Sequence, residues 1–311
     1  MKFKKPKFWD YKKPNIFSYL FLPISLLIKI AKSVFNLTIE KKKYPSIKTI
    51  CVGNIYLGGT GKTSLSIKIN EILKKKLRSC FIKKYHSDQI DEQKILEIHG
   101  KTFKLKSRSS SINQAISEGF ELAIFDDGLQ DPSIEYDFNI VCFNTDNWIG
   151  NGQTIPSGPL REDIKNLKKY KNVFLNGNRR NVDSLVEYMH RIDPNINIYQ
   201  GEYIPLNMNE FDLKNEFLVF SGIGNHKTFI SMLKNNNIKI IKDIEFPDHY
   251  KYSTKEIDDI ISVSKKLNCK IITTEKDYMK LNNNNLINFV RSELKIINED
   301  IFLNNILKIN E

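Results

Sequence analysis

A glycine-rich loop, Gly58-Gly59-Thr60-Gly61-Lys62-Thr63, constrains this chain more than any other feature. It follows an apolar run, Thr49 to Val52, and precedes a helical pattern from Leu65 to Leu73. Strand, glycine-rich loop and helix form the context that a phosphate-binding loop requires. Glycines let backbone N–H groups converge on phosphate oxygens, and the start of the helix adds partial positive charge. The order therefore predicts an α/β nucleotide-binding domain.

Two side chains of this loop carry the expected chemistry. Lys62 can reach the β- and γ-phosphates of ATP, and the Thr63 hydroxyl can ligate Mg²⁺. The general pattern has Gly five residues before Gly61, where Tyr56 stands here, and Gly58 and Gly59 supply flexibility closer in. A glycine-rich turn with a chance Lys-Thr pair is the alternative, which the flanking elements disfavour. The residues expected to bind the nucleotide are Tyr56, Leu57, Gly58, Gly59, Thr60, Gly61, Lys62 and Thr63.

Charge and cysteine usage narrow the class of protein. The chain has 311 residues, 41% of them hydrophobic, which suits one large or two modest domains. A net charge of +12 suggests an anionic partner, but arginine, the usual reader of bases, is scarce, so nucleic acid is not expected. No Cys-x-x-Cys pair is present, and a reducing cytosolic setting is expected. Four scattered cysteines are predicted to be core residues: Cys51, Cys80, Cys142 and Cys269.

The first 45 residues form a segment of their own. A leader rich in lysine and aromatic residues precedes the apolar run Ile16 to Phe35, and Lys41-Lys42-Lys43 follows. The apolar run before Lys29 is shorter than the ~20 residues that a spanning helix needs. Aromatic residues, lysines and an apolar helix together favour a helix that lies at an anionic membrane surface. A buried core helix and a single membrane span remain the alternatives.

A second signal is the pair Asp126-Asp127, which ends the apolar run Glu121 to Phe125. In open parallel sheets ligands bind at the carboxyl ends of strands, where these aspartates would lie. A strand that ends in carboxylates, in one domain with a phosphate loop, is where such proteins hold Mg²⁺. The predicted metal site therefore comprises Thr63, Asp126 and Asp127.

Strands alternate with helices again in the later part of the chain, which predicts a parallel sheet in each part. The pattern weakens between residues 176 and 212, where we place the junction. We therefore expect a membrane-associated segment over 1–45, a P-loop nucleotide-binding domain over 46–205, and a smaller α/β domain over 206–311. Arg161, in a loop rich in Gly and Pro, is a candidate phosphate clamp, with a surface turn as the alternative.

Phosphoryl transfer to an alcohol also needs a residue that orients or deprotonates the acceptor. Asp91 is a candidate because it lies in a polar loop after the second predicted strand. His249, beside Asp248 at a strand end, is another, and an Asp–His pair would tune the basicity of the carboxylate. Spacing alone does not show that the two side chains meet, and a solvated acid or a capping histidine is the alternative for each.

The ordered set of motifs resembles the tetraacyldisaccharide 4′-kinases, which make the lipid IVA intermediate of lipid A. The set spans Val52 to Asp277 and comprises Val52-Gly53-Asn54 with the glycine loop, Asp126-Asp127-Gly128-Leu129-Gln130, Pro156-Ser157-Gly158-Pro159-Leu160-Arg161-Glu162, Ser221-Gly222-Ile223-Gly224-Asn225, Phe246-Pro247-Asp248-His249 and Thr273-Thr274-Glu275-Lys276-Asp277. The loop alone is common to many ATPases, whereas the ordered set is specific.

The resemblance implies ATP- and Mg²⁺-dependent phosphorylation of the 4′-hydroxyl of a tetraacyldisaccharide 1-phosphate. It implies two α/β domains and an N-terminal helix at the cytoplasmic face of the inner membrane of a Gram-negative bacterium, with no obligate protein partner. By this resemblance, Asp91 corresponds to the catalytic carboxylate of the family, and His249 corresponds to the histidine that partners it. Arg161, Glu162 and Gln130 are expected at the lipid substrate.

Two departures from the family pattern bear on these expectations. Lys83-Lys84-Tyr85-His86 stands where the family has Ser-Arg-Gly-Tyr-Gly, and the segment up to Asp91 is shortened. Asp131 follows Gln130 where the family has His. A P-loop switch or chaperone-type NTPase with no lipid acceptor, or a membrane-surface module with a relict nucleotide site, are the alternative functions.

Overall fold

The protein divides into two compact units in a computed structural model. The structure describes residues 5–85, 90–177, 182–248, 250–281 and 284–307. For residues 90 and 91 it describes the backbone only. The first unit comprises residues 1–201 and 296–311, and the second comprises residues 202–295. The sequence placed the junction at 205/206 and assigned the C-terminus to the second domain. The structure returns residues 296–311 to the first unit, where Phe302 packs against Tyr199 and Phe174.

The elements alternate in the manner of an α/β protein. The strands are β1 (Lys48–Gly53), β2 (Ser79–Ile82), β3 (Thr102–Phe103), β4 (Leu122–Asp126), β5 (Phe138–Asn144), β6 (Asn172–Asn176), β7 (Asn197–Pro205), β8 (Glu216–Ser221), β9 (Lys239–Glu245), β10 (Lys270–Thr274), β11 (Ile287–Val290) and β12 (Ser292–Ile297). The α-helices are α1 (Ile16–Leu37), α2 (Lys62–Leu73), α3 (Ile90–His99), α4 (Arg108–Ser117), α5 (Val182–Ile192), α6 (His226–Asn235), α7 (Thr254–Lys266), α8 (Glu275–Tyr278) and α9 (Glu299–Leu307). Short 3₁₀ helices cover Lys7–Asp10, Ile164–Lys169 and Met208–Glu210.

The larger sheet has the strand order β12-β7-β6-β5-β1-β4-β2-β3. From β3 to β7 each neighbouring pair is parallel. Strand β1 is buried along almost its whole length because it lies between β4 and β5 with sheet on both sides. Its residue Val52 is in register with Asp126 of β4. The loop that follows β1 and the aspartates that end β4 therefore emerge side by side at the carboxyl edge, where such sheets bind ligands.

The second unit contains a four-stranded parallel sheet, in the order β11-β10-β8-β9. Its core lies on both faces of β8. Phe217 and Val219 belong to one buried cluster, whereas Leu218 and Phe220 belong to the other. Because successive side chains of a strand point to opposite faces, a strand covered on both sides must be apolar along its covered length, as Phe217 to Phe220 are. The predicted fold class, a P-loop-type α/β domain followed by a smaller α/β unit, is confirmed.

Helix α1 buries polar side chains and exposes apolar ones, the opposite of a helix that packs against the core of a soluble protein. Ser18 and Ser25 are its buried residues, whereas Leu20, Leu27 and most other large apolar side chains are exposed. The Asn151 amide donates to the Ser18 hydroxyl at 2.9 Å, and the Ser25 hydroxyl donates to the Thr154 carbonyl at 3.0 Å. The helix is long and apolar enough to cross a membrane by length and composition. Its exposed apolar face does not fit the buried-core-helix alternative and is of the kind that binds a membrane.

Sequence reasoning overlooked several elements between residues 176 and 212. Helix α5 carries its apolar side chains at the helical spacing of Leu185, Val186, Met189 and Ile192, a signal that was available but was hidden in a polar context. Strand β7 alternates only weakly in burial, because it is long and only partly covered. Strand β12 and helix α9 were also missed.

Candidate functional site

The glycine loop is held in shape by backbone contacts with the segment around Pro159. The Leu57 N–H donates to the Pro159 carbonyl at 2.8 Å, and the Arg161 N–H donates to the Ile55 carbonyl at 2.6 Å. The buried Asn54 amide donates to the carbonyls of Tyr56 at 2.6 Å and Gly58 at 3.2 Å. These bonds fix the loop without using the N–H groups of residues 59–61, which the anion-binding interpretation needs.

Two glycines take backbone conformations that other residues avoid. Gly58 has φ +148° and Gly61 has φ +83°, the latter as the residue that precedes the first turn of α2. A side chain at either position would be strained, so glycine is required for the loop to enter the helix in this way. Lys62 and Thr63 follow immediately, in the first turn, where the positive end of the helix dipole lies.

Asp126 meets the start of α2 directly. The Thr63 hydroxyl donates to Asp126 Oδ2 at 3.0 Å, and the Ser66 hydroxyl donates to Oδ1 at 3.4 Å. The carboxylate is buried, so two hydroxyls replace part of the hydration that it loses. The predicted neighbourhood of Thr63 and Asp126 is thus present in the structure.

A lysine that the motif analysis did not assign also reaches Asp126. The Lys83 ammonium donates to Asp126 Oδ2 at 2.6 Å and to Glu92 Oε2 at 2.5 Å. Burial alone lowers the pKa of Lys83, but the two carboxylates outweigh it and hold that pKa above its usual value. Sequence reasoning noted Lys83 as a departure from the family pattern and could not show where its side chain points.

Asp127 contacts a different pair of cations, Lys62 and Arg161. Its φ is +63°, and its N–H donates to the Val52 carbonyl at 2.8 Å. Arg161 Nη1 lies 3.0 Å from Oδ1 and 3.2 Å from Oδ2, and Lys62 Nζ lies 3.9 Å from Oδ2. Burial raises the pKa of this carboxyl, but Lys62, Arg161 and Lys83 together bring it below the usual value. Asp127 therefore carries a negative charge at neutral pH.

Arg161 links the aspartate pair to Gln130. The same Nη1 donates to Gln130 Oε1 at 2.8 Å, and Gln130 Nε2 donates to the Asn54 carbonyl at 2.8 Å. Glu162 instead accepts from Asn166 Nδ2 at 3.0 Å and from the Tyr170 hydroxyl at 2.8 Å. The structure thus brings Arg161 and Gln130 to the site and ties Glu162 to its own loop.

Arg108 is a further cation that sequence reasoning missed. It is the first residue of α4, and its Nη2 donates to the Asp127 carbonyl at 2.6 Å. Its Nη1 lies 3.0 Å from Asp131 Oδ2. Arg161 was singled out because arginine is scarce in this chain, and the same argument would have identified Arg108.

Tyr56 connects the loop to the N-terminal leader. Its hydroxyl donates to Asp10 Oδ1 at 2.9 Å, and the Lys5 ammonium binds the same hydroxyl and carboxylate. Burial and the negative charge of Asp10 raise the pKa of Tyr56, so the phenol stays protonated. The residue that replaces the early glycine of the general pattern is therefore a buried side chain with a structural partner.

The two candidates for the catalytic base stay predictions. The backbone of Asp91 belongs to α3, but its side chain lies outside the described residues. His249 also lies outside them. Asp248 and Phe246 are described in the second unit, where Phe246 packs against Phe220 and Tyr252.

Two motifs of the second unit are joined through Asp277. This buried carboxylate accepts from the Gly222 N–H at 2.9 Å, from the Thr274 hydroxyl at 2.8 Å and from Lys280 at 2.8 Å. A Cβ on Gly222 would lie 2.8 Å from the Tyr252 hydroxyl, so this approach requires glycine. The motifs that contain Gly222 and Asp277 therefore fix the ends of β8 and β10 to each other.

The cysteines are structural. Cys51, Cys80 and Cys142 are buried and Cys269 is half-buried, all as free thiols. Burial raises the pKa of the Cys80 thiol to about 12. A thiol that stays protonated is a poor nucleophile and metal ligand, so the expectation of core cysteines is confirmed.

Comparison with known proteins identifies the family. The profile of the LpxK family, Tetraacyldisaccharide-1-P 4'-kinase, matches residues 17–104 and 87–311. The chain belongs to the tetraacyldisaccharide 4′-kinase family. The Tetraacyldisaccharide 4'-kinase of Pelagibacter ubique (strain HTCC1062) is 58% identical over 316 residues, which cover 100% of this chain and 99% of that protein. That of Rickettsia akari (strain Hartford) is 33% identical over 97% of this chain and 96% of its own length.

A solved structure has the same fold. The "apo" form LpxK from Aquifex aeolicus, crystallised in complex with ATP, matches with a TM-score of 0.67 at 22% identity, over 94% of this chain and 99% of that chain. The tetraacyldisaccharide 4′-kinase motifs that follow β1, β4 and β5 all meet within the first unit of the present structure.

Proposed function

We propose that this protein transfers the γ-phosphate of ATP to the 4′-hydroxyl of a tetraacyldisaccharide 1-phosphate, which gives lipid IVA in lipid A biosynthesis. The observation that carries the proposal is the convergence of the glycine loop with Asp126 and Asp127 in a chain of the tetraacyldisaccharide 4′-kinase family. Relatives of that name match it over 97% and 100% of its length.

ATP would bind with its phosphates against the loop from Tyr56 to Thr63. The backbone N–H groups of residues 59–61 and the start of α2 suit phosphate oxygens. Lys62 lies 3.9 Å from Asp127 and is 14% exposed, so its ammonium is held near the loop but remains accessible. We assign it to the phosphate that is transferred, whose negative charge it stabilises.

The residues fit a Mg²⁺ ion at Thr63 and Asp126. Their oxygens are 3.0 Å apart, and hydroxyl and carboxylate oxygens are the ligands that Mg²⁺ takes beside nucleotide phosphates. The chemistry that a bound Mg²⁺ supplies is neutralisation of charge on the phosphate oxygens. The Thr63 hydroxyl contacts Asp126, whereas Asp127 contacts Arg161 and Lys62. We therefore propose that Asp126 lies closest to the ion and that Asp127 orients the two cations.

The acceptor hydroxyl needs a proton acceptor, for which Asp91 with His249 stays our proposal. Asp91 precedes Glu92, whose carboxylate binds Lys83, which in turn contacts Asp126. The start of α3 is therefore connected to the metal-site carboxylate through described side chains. Arg161 and Gln130 are proposed to contact the lipid substrate or the transferred phosphate, and Glu162 to hold their loop in place.

The lipid substrate would reach the site at the cytoplasmic face of the inner membrane of a Gram-negative bacterium. Helix α1 presents exposed Phe17, Leu20 and Leu27, and its buried serines attach it to the loop of Asn151. We propose that it lies on the membrane surface, with no obligate protein partner and no nucleic acid. Removal of residues 1–35 should release the protein from anionic vesicles, and retention on those vesicles would refute the anchor.

The kinase proposal is tested by ATP turnover with and without the lipid. A kinase consumes ATP in proportion to the tetraacyldisaccharide supplied and labels that lipid with the γ-phosphate. The alternative, a P-loop switch or chaperone-type NTPase, hydrolyses ATP and leaves the lipid unlabelled. A matched Lys62→Met variant should remove the lipid-dependent consumption, and its persistence in that variant would argue against the assignment.

A further inference from the structure

Lys83 is a buried cation to which the proposed reaction assigns no role. Its side chain is 3% exposed, and its ammonium lies between Asp126 Oδ2 and Glu92 Oε2, at 2.6 Å and 2.5 Å. It follows β2, the strand next to β4, so it approaches Asp126 from within the same sheet edge. A buried charge of this kind persists only when it is paired, and here one of the partners is the carboxylate proposed to serve the metal.

The contacts of Asp126 show what a metal ion would meet. Oδ2 accepts from both Thr63 and Lys83, and Oδ1 accepts from Ser66. Both carboxylate oxygens therefore already have protein donors. A divalent cation at Thr63 and Asp126 must compete with the Lys83 ammonium for Oδ2, and the two positive charges repel each other at this separation.

The local charges add to this conflict. Asp126 and Asp127 are surrounded by the cationic side chains of Lys62, Lys83 and Arg161. Cations already neutralise both aspartates, so a metal ion that enters alone adds uncompensated positive charge. A nucleotide brings negative phosphates to the same place and removes that penalty.

We propose that Lys83 is a positioning residue that occupies Asp126 in place of a metal ion and so makes metal binding at Thr63 and Asp126 dependent on nucleotide. The metal then enters with ATP, as its complex, and Lys83 shares or yields Oδ2 at that moment. This inference rests on the metal site assigned under the proposed function. Ordinary structural support by Lys83 would instead predict that its loss leaves metal binding unchanged or weaker.

The test measures metal binding without nucleotide. Mn²⁺ serves as the probe because its free concentration is read directly by electron paramagnetic resonance. Lys83→Met should bind Mn²⁺ at least roughly 10-fold more tightly than the wild type, because a positive charge within hydrogen-bond distance of the ligand oxygen is removed. Lys84→Met is the control, since Lys84 is the adjacent lysine and is exposed, and it should match the wild type. Unchanged or weaker Mn²⁺ binding by Lys83→Met would overturn the proposal.

Two further variants keep the test decisive if Lys83→Met folds poorly. Lys83→Gln retains an N–H donor for Asp126, and Lys83→Met combined with Glu92→Gln keeps the net charge of the wild type. Each should also gain affinity for Mn²⁺, and failure of every folded variant to do so refutes the inference.

Asp126→Asn separates the inference from the metal site on which it rests. It should weaken binding of Mn²⁺ with a non-hydrolysable ATP analogue relative to the wild type. If it binds that complex as the wild type does, the assigned metal site is wrong. If it weakens binding but the Lys83 variants gain nothing, the inference alone is wrong.

Discussion

The ion pair of Arg161 with Asp127 offers a sharp test of the site geometry. Arg161→Met removes the guanidinium and keeps a side chain of similar length. The change removes the two contacts of the guanidinium with the Asp127 carboxylate, at 3.0 Å and 3.2 Å. It also removes the 2.8 Å hydrogen bond to the Gln130 side chain. Both charged side chains are about one-quarter exposed or less, so solvent screens the pair only in part.

The expected loss follows from these contacts. A hydrogen bond to a charged group contributes about 1.5–3 kcal/mol and a neutral one about 1 kcal/mol. Lys62 remains 3.9 Å from Asp127 and offsets part of the unpaired charge. We therefore expect Arg161→Met to lower the free energy of unfolding by about 2 kcal/mol, which corresponds to a fall in Tm of roughly 4–8 °C for a unit of this size.

A double-mutant cycle assigns the loss to the pair. The free energy of unfolding is measured by urea titration for the wild type, Arg161→Met, Asp127→Asn and the double variant. The coupling energy should be about 1–2 kcal/mol, within the range for residues in contact. Arg191→Met is the control, because Arg191 is exposed on α5 over the ring of Tyr188, and it should change stability by less than about 0.5 kcal/mol. A coupling energy below about 0.5 kcal/mol would refute the geometry described for Asp127.

Three other expectations concern catalysis, pH and the N-terminal helix. Lys62→Met should lower kcat/KM at least about 100-fold in initial-rate assays, because a group that stabilises the transferred charge is lost; a smaller effect would remove Lys62 from the phosphate. The folded-state pKa of Asp127 is lowered, so its contribution to stability is present above the ordinary pKa of 3.8 and is lost as pH falls through the folded pKa. Asp127→Asn should therefore flatten the acid limb of an unfolding profile below about pH 5; parallel profiles would contradict this. Ser18→Leu should cost about 1–3 kcal/mol by overfilling a buried position, whereas Leu20→Ser should leave stability unchanged and weaken vesicle sedimentation; equal effects of the two changes would argue against the reversed polarity of α1.

The sequence was most informative where local chemistry and backbone geometry coincide. Gly58 and Gly61 need positive φ values, so their presence before Lys62 already indicated the turn into α2. The apolar runs that ended in Asp126 or lined β8 also indicated parallel strands, because strands covered on both faces carry no polar alternation. Fold class and the phosphate loop followed from these features.

Other features depend on contacts between distant parts of the chain, which spacing does not encode. The pairing of Lys83 with Asp126 joins residues 43 positions apart, and the role of Arg108 depends on how α4 meets the end of β4. The sequence alone did not predict that Ser18 and Ser25 would form the buried side of an apolar helix. The place of α9 in the first unit, fixed by Phe302 against Tyr199, likewise required the fold.

The central claim is transfer of phosphate to one hydroxyl of a lipid disaccharide, and the structure of the product tests it most directly. The protein is incubated with γ-labelled ATP, Mg²⁺ and tetraacyldisaccharide 1-phosphate in detergent micelles, and the lipid product is analysed by mass spectrometry and phosphorus NMR. The account predicts a lipid that carries one added phosphate, on the 4′-oxygen, with label recovered in equal amount. Consumption of ATP with an unmodified lipid, or a phosphate on another oxygen, would contradict it.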